Sequence, residues 1–118
     1  MKDTNIIIVD DDRDLAESLA ELLEVNGYQV EIASNGQEAV ERFRHKDYDI
    51  AFMDVRMPVM NGVDSFFAIR QMKPKARIVM MTGFKEPIMQ KAVDAGALGP
   101  LHKPFTIDAM LKLVEAEH

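Results

Sequence analysis

The sequence lacks cysteine, and its longest unbroken apolar runs, such as IIIV and IAFM, have only four residues. The lack of cysteine excludes disulfide bridges and thiolate metal sites. Apolar runs this short do not fit a membrane-spanning helix or a signal peptide, so we expect a cytoplasmic protein that does not engage a membrane. A net charge of −6 without a basic cluster argues against direct binding to nucleic acid.

The length and composition of the chain fit one globular domain. It has 118 residues, of which 47% are hydrophobic and 29% are charged. A chain of this size buries enough surface to hold a core of its own. Because no repeat and no Pro-, Gly- or Ser-rich linker marks a boundary, we expect a single domain over residues 1–118.

Several short segments have the patterns of β-strands. Continuous apolar runs are typical of parallel strands that are covered on both faces. By contrast, Tyr28–Ala33 alternates apolar and polar residues, which is typical of a half-exposed edge strand. We therefore predict strands at Ile6–Val9, Tyr28–Ala33, Ile50–Met53 and Ile78–Met81, and a short last strand near Leu101-His102.

Helical patterns lie between these strands. The spacing of apolar residues and the helix stop signals indicate five helices. Alternating strands and helices of this kind predict an α/β fold with a doubly wound parallel sheet and helices on both of its faces. The predicted helices contain Leu15, Leu19, Leu22 and Leu23 before Asn26-Gly27; Ala39, Val40 and Phe43; about Val63 to Met72; Pro87 to Ala95 before Gly96; and Ile107, Met110, Leu111 and Val114 after Thr106.

Polar residues follow four of the predicted strands. In open α/β sheets, ligands bind outside the carboxyl ends of the strands. Carboxylates gathered there repel each other by roughly 4 kcal/mol per pair at about 4 Å, so a positive group has to compensate them. Mg²⁺ is the natural candidate, and a carboxylate beside it can act as a nucleophile toward phosphorus. The residues are Asp10, Asp11 and Asp12, then Asp54, then Thr82, and last Lys103.

Four motifs carry a resemblance to a known family. They are VDDD at Val9–Asp12, MDVRMPVMNG at Met53–Gly62, MTG at Met81–Gly83 and HKPF at His102–Phe105. In this order and spacing, the chain resembles a response-regulator receiver domain, the phosphoacceptor module of two-component signalling, over essentially its whole length. The resemblance implies a five-stranded flavodoxin-like sheet with strand order 2-1-3-4-5 and five helices.

The resemblance also implies a role for each motif residue. Asp54 would accept a phosphoryl group from a phosphohistidine on a sensor histidine kinase or a histidine phosphotransfer protein. Thr82 and Lys103 would contact the phosphoryl oxygens, and the peptide bond before Pro104 would be cis. Mg²⁺ would be held by the carboxylates of Asp10, Asp11 and Asp54 and by the main-chain carbonyl of Arg56.

As a family member, the chain would act as a signalling phosphoacceptor. It would not be an enzyme on other substrates, since it would catalyse only its own phosphorylation and dephosphorylation. Phosphorylation would switch its interaction surface toward a downstream effector or output domain, and a homodimer formed on phosphorylation is compatible with this reading. We expect Asp12 to cap the following helix and not to bind metal, because a carboxylate favours a helix N-terminus.

Three residues give this sequence its individual features. Pro100 stands three residues before the lysine, where the family often has an aromatic switch residue, and a proline has no rotamer to swing. We therefore expect the signal to pass through the backbone around Gly96–Pro100 and the helix near Pro87, or through another face. Arg56 and Phe84 flank the reaction centre, where we expect them to restrict the attacking water.

Two other functions remain open from the sequence. One is a pseudo-receiver that serves only as a scaffold for protein interactions, independently of phosphorylation. The other is a Mg²⁺-dependent phosphohydrolase that works through an aspartyl phosphate. For the second, Arg56 stands where a second acid is normally needed, and 118 residues leave no room for a substrate cap.

Overall fold

The computed structural model describes residues 4–84 and 86–116, and within them strands and helices alternate along the chain. All pairs of neighbouring strands are parallel, in the order β2-β1-β3-β4-β5. This confirms the predicted doubly wound α/β sheet and its strand order. The elements are β1 (Asn5–Val9), α1 (Arg13–Val25), β2 (Gln29–Ala33), α2 (Gly36–His45), β3 (Ile50–Asp54), α3 (Gly62–Met72), β4 (Ile78–Thr82), α4 (Met89–Asp94), β5 (Leu98–His102) and α5 (Ile107–Glu115).

Apolar clusters cover both faces of the sheet. α1 and α5 pack on one face, and α2, α3 and α4 pack on the other. The central strands β1, β3 and β4 are buried along almost their whole length, as their continuous apolar runs predicted. β2 lies at one edge and is partly exposed, which confirms its prediction as an edge strand. The helices therefore enclose the sides of the sheet, and its two ends carry the loops.

β5 is the other edge strand, and it begins earlier than predicted. It starts at Leu98, whereas the sequence indicated a strand only near Leu101-His102. The reason is that Gly99 and Pro100 belong to residue types that are depleted in strands, although an edge strand tolerates them. The pairing with β4 shifts register at this point, and Gly99 adopts a φ of 87°, in the left-handed region that favours glycine.

Side chains cap four of the helices at their N-termini. The side chain of Asp12 accepts a hydrogen bond from the main-chain N–H of Leu15, as predicted for this residue. Asn35, Asn61 and Thr106 do the same for α2, α3 and α5. In the described part of the chain, none of the helices has the length and apolar character needed to cross a bilayer.

α4 is shorter than predicted. It begins at Met89 and ends at Asp94, whereas the sequence pattern ran from Pro87 to Ala95. The N–H groups of Met89 and Gln90 bond to the carbonyls of Glu86 and Pro87, three residues earlier, so a tight turn precedes the helix. This turn accounts for the later start of the helix, and Ile88, the residue before the helix, provides no side-chain cap.

Gly62 brings the start of α3 against the end of β3. Its N–H donates to the carbonyl of Val55 over 2.9 Å. A Cβ atom at Gly62 would lie 2.2 Å from the main-chain oxygen of Asp54 and 3.0 Å from the Cα of Val55. Both neighbours are main-chain atoms of a buried strand end, so neither can move aside at low cost. The position of Asp54 in the fold thus depends on a glycine at 62.

We expect Gly62→Ala to lower the free energy of unfolding by about 2 to 4 kcal/mol, because the new methyl group forces α3 away from β3. Urea unfolding of the wild type and the variant measures this change. Gly83→Ala is the matched control, since the nearest atom to its Cβ is that of Lys103 at 4.0 Å. The control should change stability by no more than about 0.5 kcal/mol. Equal effects of the two substitutions would contradict the packing argument.

Candidate functional site

Three carboxylates meet at the carboxyl ends of the neighbouring strands β1 and β3. Asp10 follows β1 and is buried, Asp54 ends β3 and is buried, and Asp11 is exposed. One carboxylate oxygen from each lies within 4.8 Å of the other two. The structure therefore brings together the three side chains that the sequence assigned to a metal site.

Main-chain hydrogen bonds fix this acidic cluster. The N–H of Asp10 donates to the carbonyl of Ala33 in β2 over 3.1 Å, and the N–H of Val55 donates to Met81 in β4 over 3.0 Å. Asp10 Oδ1 also accepts the N–H of Asp12 over 2.9 Å. The two buried carboxylates are thus held by the sheet itself, and their positions do not depend on long flexible side chains.

Lys103, which follows β5, places its ammonium group among the carboxylates. Its Nζ donates to Asp10 Oδ2 over 2.8 Å and lies 3.4 Å from Asp54 Oδ1. Its main-chain N–H donates to the carbonyl of Thr82 over 2.7 Å. The Lys103–Pro104 peptide bond is cis, as the resemblance implied. Lys103 therefore compensates part of the repulsion between Asp10 and Asp54.

Burial and charge shift the pKa values of two of these groups. Burial, followed by the charge of Asp10, raises the pKa of Asp54 from 3.8 to about 6, although Lys103 opposes the shift. For Lys103, burial alone would lower the pKa, but the hydrogen bond to Asp10 and the charges of Asp10 and Asp54 raise it above its ordinary value. At neutral pH the site therefore holds an ionised but unusually basic Asp54 beside a charged lysine.

Thr82 ends β4 and is buried, but its hydroxyl group binds to the next loop. Oγ1 donates to the main-chain carbonyl of Phe84 over 2.6 Å and accepts the N–H of Phe84 over 3.1 Å. The sequence placed Thr82 at the same rim as Asp54, and the fold confirms this location. The partner of its hydroxyl in this structure is Phe84, which the sequence did not indicate.

Arg56 and Phe84, which the sequence expected to flank the reaction centre, contact each other. The guanidinium carbon of Arg56 lies 5.2 Å from the centre of the Phe84 ring. Arg56 Nε also lies 2.7 Å from Glu86 Oε1, in an ion pair that the sequence did not indicate. No local pattern signals Glu86, because the contact joins two loops that only the folded sheet brings together.

An open cleft of about 520 Å³ lies beside the acidic cluster. It separates the loop after β3 from the loop after β4. Its lining combines the carboxylate of Asp11 and the Arg56–Glu86 ion pair with apolar side chains. The cleft therefore gives a group from solvent access to the cluster. The remaining lining residues are Val55, Met57, Pro58, Asn61 and Ile88.

The donor chemistry of the cluster fits a hard divalent cation. Mg²⁺ binds to oxygen ligands, is usually held by one or two carboxylates and keeps several waters. The converging oxygens of Asp10, Asp11 and Asp54 supply such ligands, and the exposure of Asp11 leaves room for water on one side. Arg56, whose carbonyl the sequence added to this set, lies two residues after Asp54 in the loop that borders the cleft. The residues present thus fit a magnesium ion.

Comparison with known proteins places these features in one family. The family model described as the response regulator receiver domain matches residues 6–115. The chain is 39% identical over 116 residues to the transcriptional regulatory protein LnrK of Bacillus subtilis, and this match covers 95% of the chain and 53% of LnrK. This chain thus spans about half the length of the first relatives that it matches.

Two further proteins are matched over nearly their full length. The chemotaxis protein CheY of Halobacterium salinarum is 35% identical, with 94% of this chain and 97% of that protein covered. The response regulator protein TrrA of Thermotoga maritima, solved in complex with Mg²⁺ and BeF, superposes with a TM-score of 0.86 at 30% identity. That superposition covers 95% of this chain and 96% of TrrA.

We expect Asp54→Asn to stabilise the metal-free protein at neutral pH. Because the pKa of Asp54 rises from 3.8 to about 6 on folding, the native state binds more protons than the unfolded state between these values. Stability contributed by the neutral carboxyl is therefore lost as pH rises from about 4 to 6. Urea unfolding should show a gain for the variant of about 1 to 3 kcal/mol at pH 7 that disappears near pH 4.

Asp12→Asn is the control for this measurement, since it removes a neighbouring carboxylate that is exposed and serves as a helix cap. Asparagine caps a helix about as well as aspartate, so the change should stay within about 0.5 kcal/mol at both pH values. A gain for Asp54→Asn that does not depend on pH would show that desolvation of the Asp54 charge is not its cause.

Proposed function

The chain belongs to the response regulator receiver domain family, and from this membership we propose that it accepts a phosphoryl group on Asp54 in a Mg²⁺-dependent reaction. One observation carries the proposal: the buried carboxylate of Asp54 lies within 4.8 Å of carboxylate oxygens of Asp10 and Asp11 and 3.4 Å from the ammonium group of Lys103. A carboxylate nucleophile with oxygen ligands for a metal and a fixed cation close to it suits phosphoryl transfer, which depends on positioning and on dispersal of negative charge.

In the proposed reaction, an Asp54 carboxylate oxygen attacks the phosphorus of a phosphohistidine. A new O–P bond forms while the N–P bond breaks, and the bonding electrons stay on the imidazole nitrogen, which takes up a proton. Without metal the pKa of Asp54 is about 6, so the carboxylate is mostly ionised at neutral pH, and a Mg²⁺ ion beside it would favour the ionised form further.

The other site residues have distinct parts in this reaction. Asp10, Asp11, Asp54 and the carbonyl of Arg56 would hold Mg²⁺, which neutralises charge on the transferring group. Lys103, 3.4 Å from Asp54 in the structure, would pair with one phosphoryl oxygen. Thr82 would donate its hydroxyl to another, for which it has to leave the carbonyl of Phe84.

The relatives support partners at both ends of a signalling reaction. A sensor histidine kinase or a histidine phosphotransfer protein supplies the phosphoryl group, and a downstream effector or an output domain reads the result. Matched relatives include both LnrK, of which the chain covers 53%, and the CheY of Halobacterium, of which it covers 97%. Formation of a homodimer on phosphorylation and a cytoplasmic location are parts of the same proposal.

In this proposal the chain is a phosphoacceptor and not an enzyme on other substrates. The two alternatives, a scaffold that needs no phosphorylation and a phosphohydrolase, are not favoured by a specific observation. Arg56 is bound to Glu86 and Phe84, and so the position of a second acid is filled by a cation. The presence of Asp10, Asp11, Asp54, Thr82 and Lys103 at one end of the sheet argues against a mere scaffold.

Incubation with acetyl phosphate and Mg²⁺ should add one phosphate to the wild type and none to Asp54→Asn. Intact-protein mass spectrometry measures the gain, and a parallel sample without Mg²⁺ should show little of it. If the folded wild type gains nothing, a phosphohistidine-loaded kinase domain is tried next. Failure with both donors would favour the scaffold, and steady hydrolysis of small phosphomonoesters would favour the phosphohydrolase.

Removal of one carboxylate tests whether Mg²⁺ binds to Asp11 itself or responds only to the charge of the whole loop. We expect Asp11→Asn to weaken Mg²⁺ binding at least about tenfold, since it removes a charged ligand from a site with few of them. Isothermal titration at neutral pH measures the dissociation constant. Asp12→Asn, one residue further on, should leave the constant within about twofold, because Asp12 caps α1. Equal weakening by both variants would mean that Mg²⁺ responds only to the net charge of this loop.

A further inference from the structure

Three residues from two loops form a contact group at the rim of the site. Arg56, in the loop after β3, ion-pairs through Nε with Glu86 Oε1 over 2.7 Å. Its guanidinium carbon also lies 5.2 Å from the centre of the Phe84 ring. The Glu86 side chain is only 16% exposed, whereas Arg56 is 67% exposed. A largely buried acid thus anchors a cation that remains mostly exposed.

The same group is bound to the Thr82 hydroxyl. The carbonyl of Phe84 accepts a hydrogen bond from the Thr82 hydroxyl over 2.6 Å, and the N–H of Phe84 donates to Thr82 Oγ1 over 3.1 Å. The ring of Phe84 contacts Arg56. Phe84 is therefore held at its main chain by Thr82 and at its ring by the Arg56–Glu86 pair.

We propose that Glu86 is a positioning residue that opposes phosphoryl acceptance: through Arg56 it holds Phe84 where the main chain of Phe84 binds the Thr82 hydroxyl. This inference rests on the proposed function, because it assigns a cost to one step of that reaction. The Thr82 hydroxyl has one proton, so it cannot donate to the Phe84 carbonyl and to a phosphoryl oxygen at the same time.

The ion pair therefore favours the arrangement without a phosphoryl group. A ligand shifts a protein between two states only by the difference in its affinity for them, so contacts made in one state weaken binding to the other. The Arg56–Glu86 pair and the contact of Arg56 with Phe84 stabilise the loop in the position that binds Thr82. Their loss lowers the cost of releasing the hydroxyl, and phosphoryl binding becomes tighter.

Glu86 also connects this step to α4. Its carbonyl accepts the N–H of Met89, the first residue of the helix, over 2.9 Å. A shift of Glu86 that follows release of Thr82 is therefore transmitted to the start of α4. Such a route needs no side chain that swings at position 100, where the chain has a proline.

The decisive variant is Glu86→Gln, which keeps the shape of the side chain and removes its charge. Titration with beryllium fluoride at saturating Mg²⁺ gives the affinity for a phosphoryl analogue. We expect the variant to bind about threefold more tightly, a modest effect because water screens the exposed Arg56 end of the pair. Glu41→Gln is the matched control, because it removes the same charge from an exposed pair on α2.

A second measurement does not depend on phosphoryl chemistry. In the absence of metal and fluoride, the N–H of Phe84 is protected by its hydrogen bond to Thr82 Oγ1. If Glu86 holds this arrangement, amide exchange at Phe84 should be about threefold faster in Glu86→Gln and unchanged in Glu41→Gln. A role of Glu86 in general stability would instead accelerate exchange throughout the core.

The two measurements separate the inference from the proposed function. If the wild type binds beryllium fluoride and Glu86→Gln binds it equally or more weakly, the role of Glu86 is wrong. An unchanged exchange rate at Phe84 would overturn it as well. If the wild type does not bind beryllium fluoride with Mg²⁺, the proposed function fails, and the role of Glu86 in that function fails with it.

Discussion

The site depends on the repulsion between two carboxylates that the sheet forces together. Because β1 and β3 are neighbours and parallel, their carboxyl ends place Asp10 and Asp54 at the same buried point. Lys103 offsets part of this repulsion from the far side of β4, through contacts to both acids. The order of the strands thus places two negative charges together, and the lysine that follows β5 compensates part of that charge.

The rest of the fold keeps this arrangement from relaxing. A carboxylate on a flexible loop would move away from its neighbour, but Asp54 belongs to a strand that is buried along its whole length. At Gly62, the first residue of α3, the helix lies directly against the main chain of Asp54 and leaves Asp54 no room to move in that direction. The raised pKa of Asp54 is the result: the fold holds this acid where its charge is unfavourable.

The sequence predicted the residues that follow the strand ends, and it missed the start of one edge strand and a contact between two loops. Asp10, Asp54, Thr82 and Lys103 were predictable because parallel strands bring their carboxyl ends to one rim, whatever the details of their packing. The start of β5 was not predictable, because Gly99 and Pro100 are uncommon in strands and are accepted here only because β5 is an edge strand. Similarly, Glu86 has no local signature, since its ion pair with Arg56 joins two loops that are distant in the chain.

A phosphoryl group on Asp54 would increase the negative charge that the site has to compensate, and the residues that could respond to it lie in or beside the loops. The phosphoryl group would carry about −1.5 to −2 charges in place of the single charge of Asp54, beside the carboxylates of Asp10 and Asp11. One lysine cannot balance that charge in a buried site, which is why the proposed reaction needs a divalent cation and a further hydrogen-bond donor. The donor within the same rim is Thr82, whose hydroxyl is bound to Phe84. In the proposed reaction the Thr82 hydroxyl would leave Phe84 to donate to a phosphoryl oxygen, and this exchange of partners would connect Asp54 with the loop before α4.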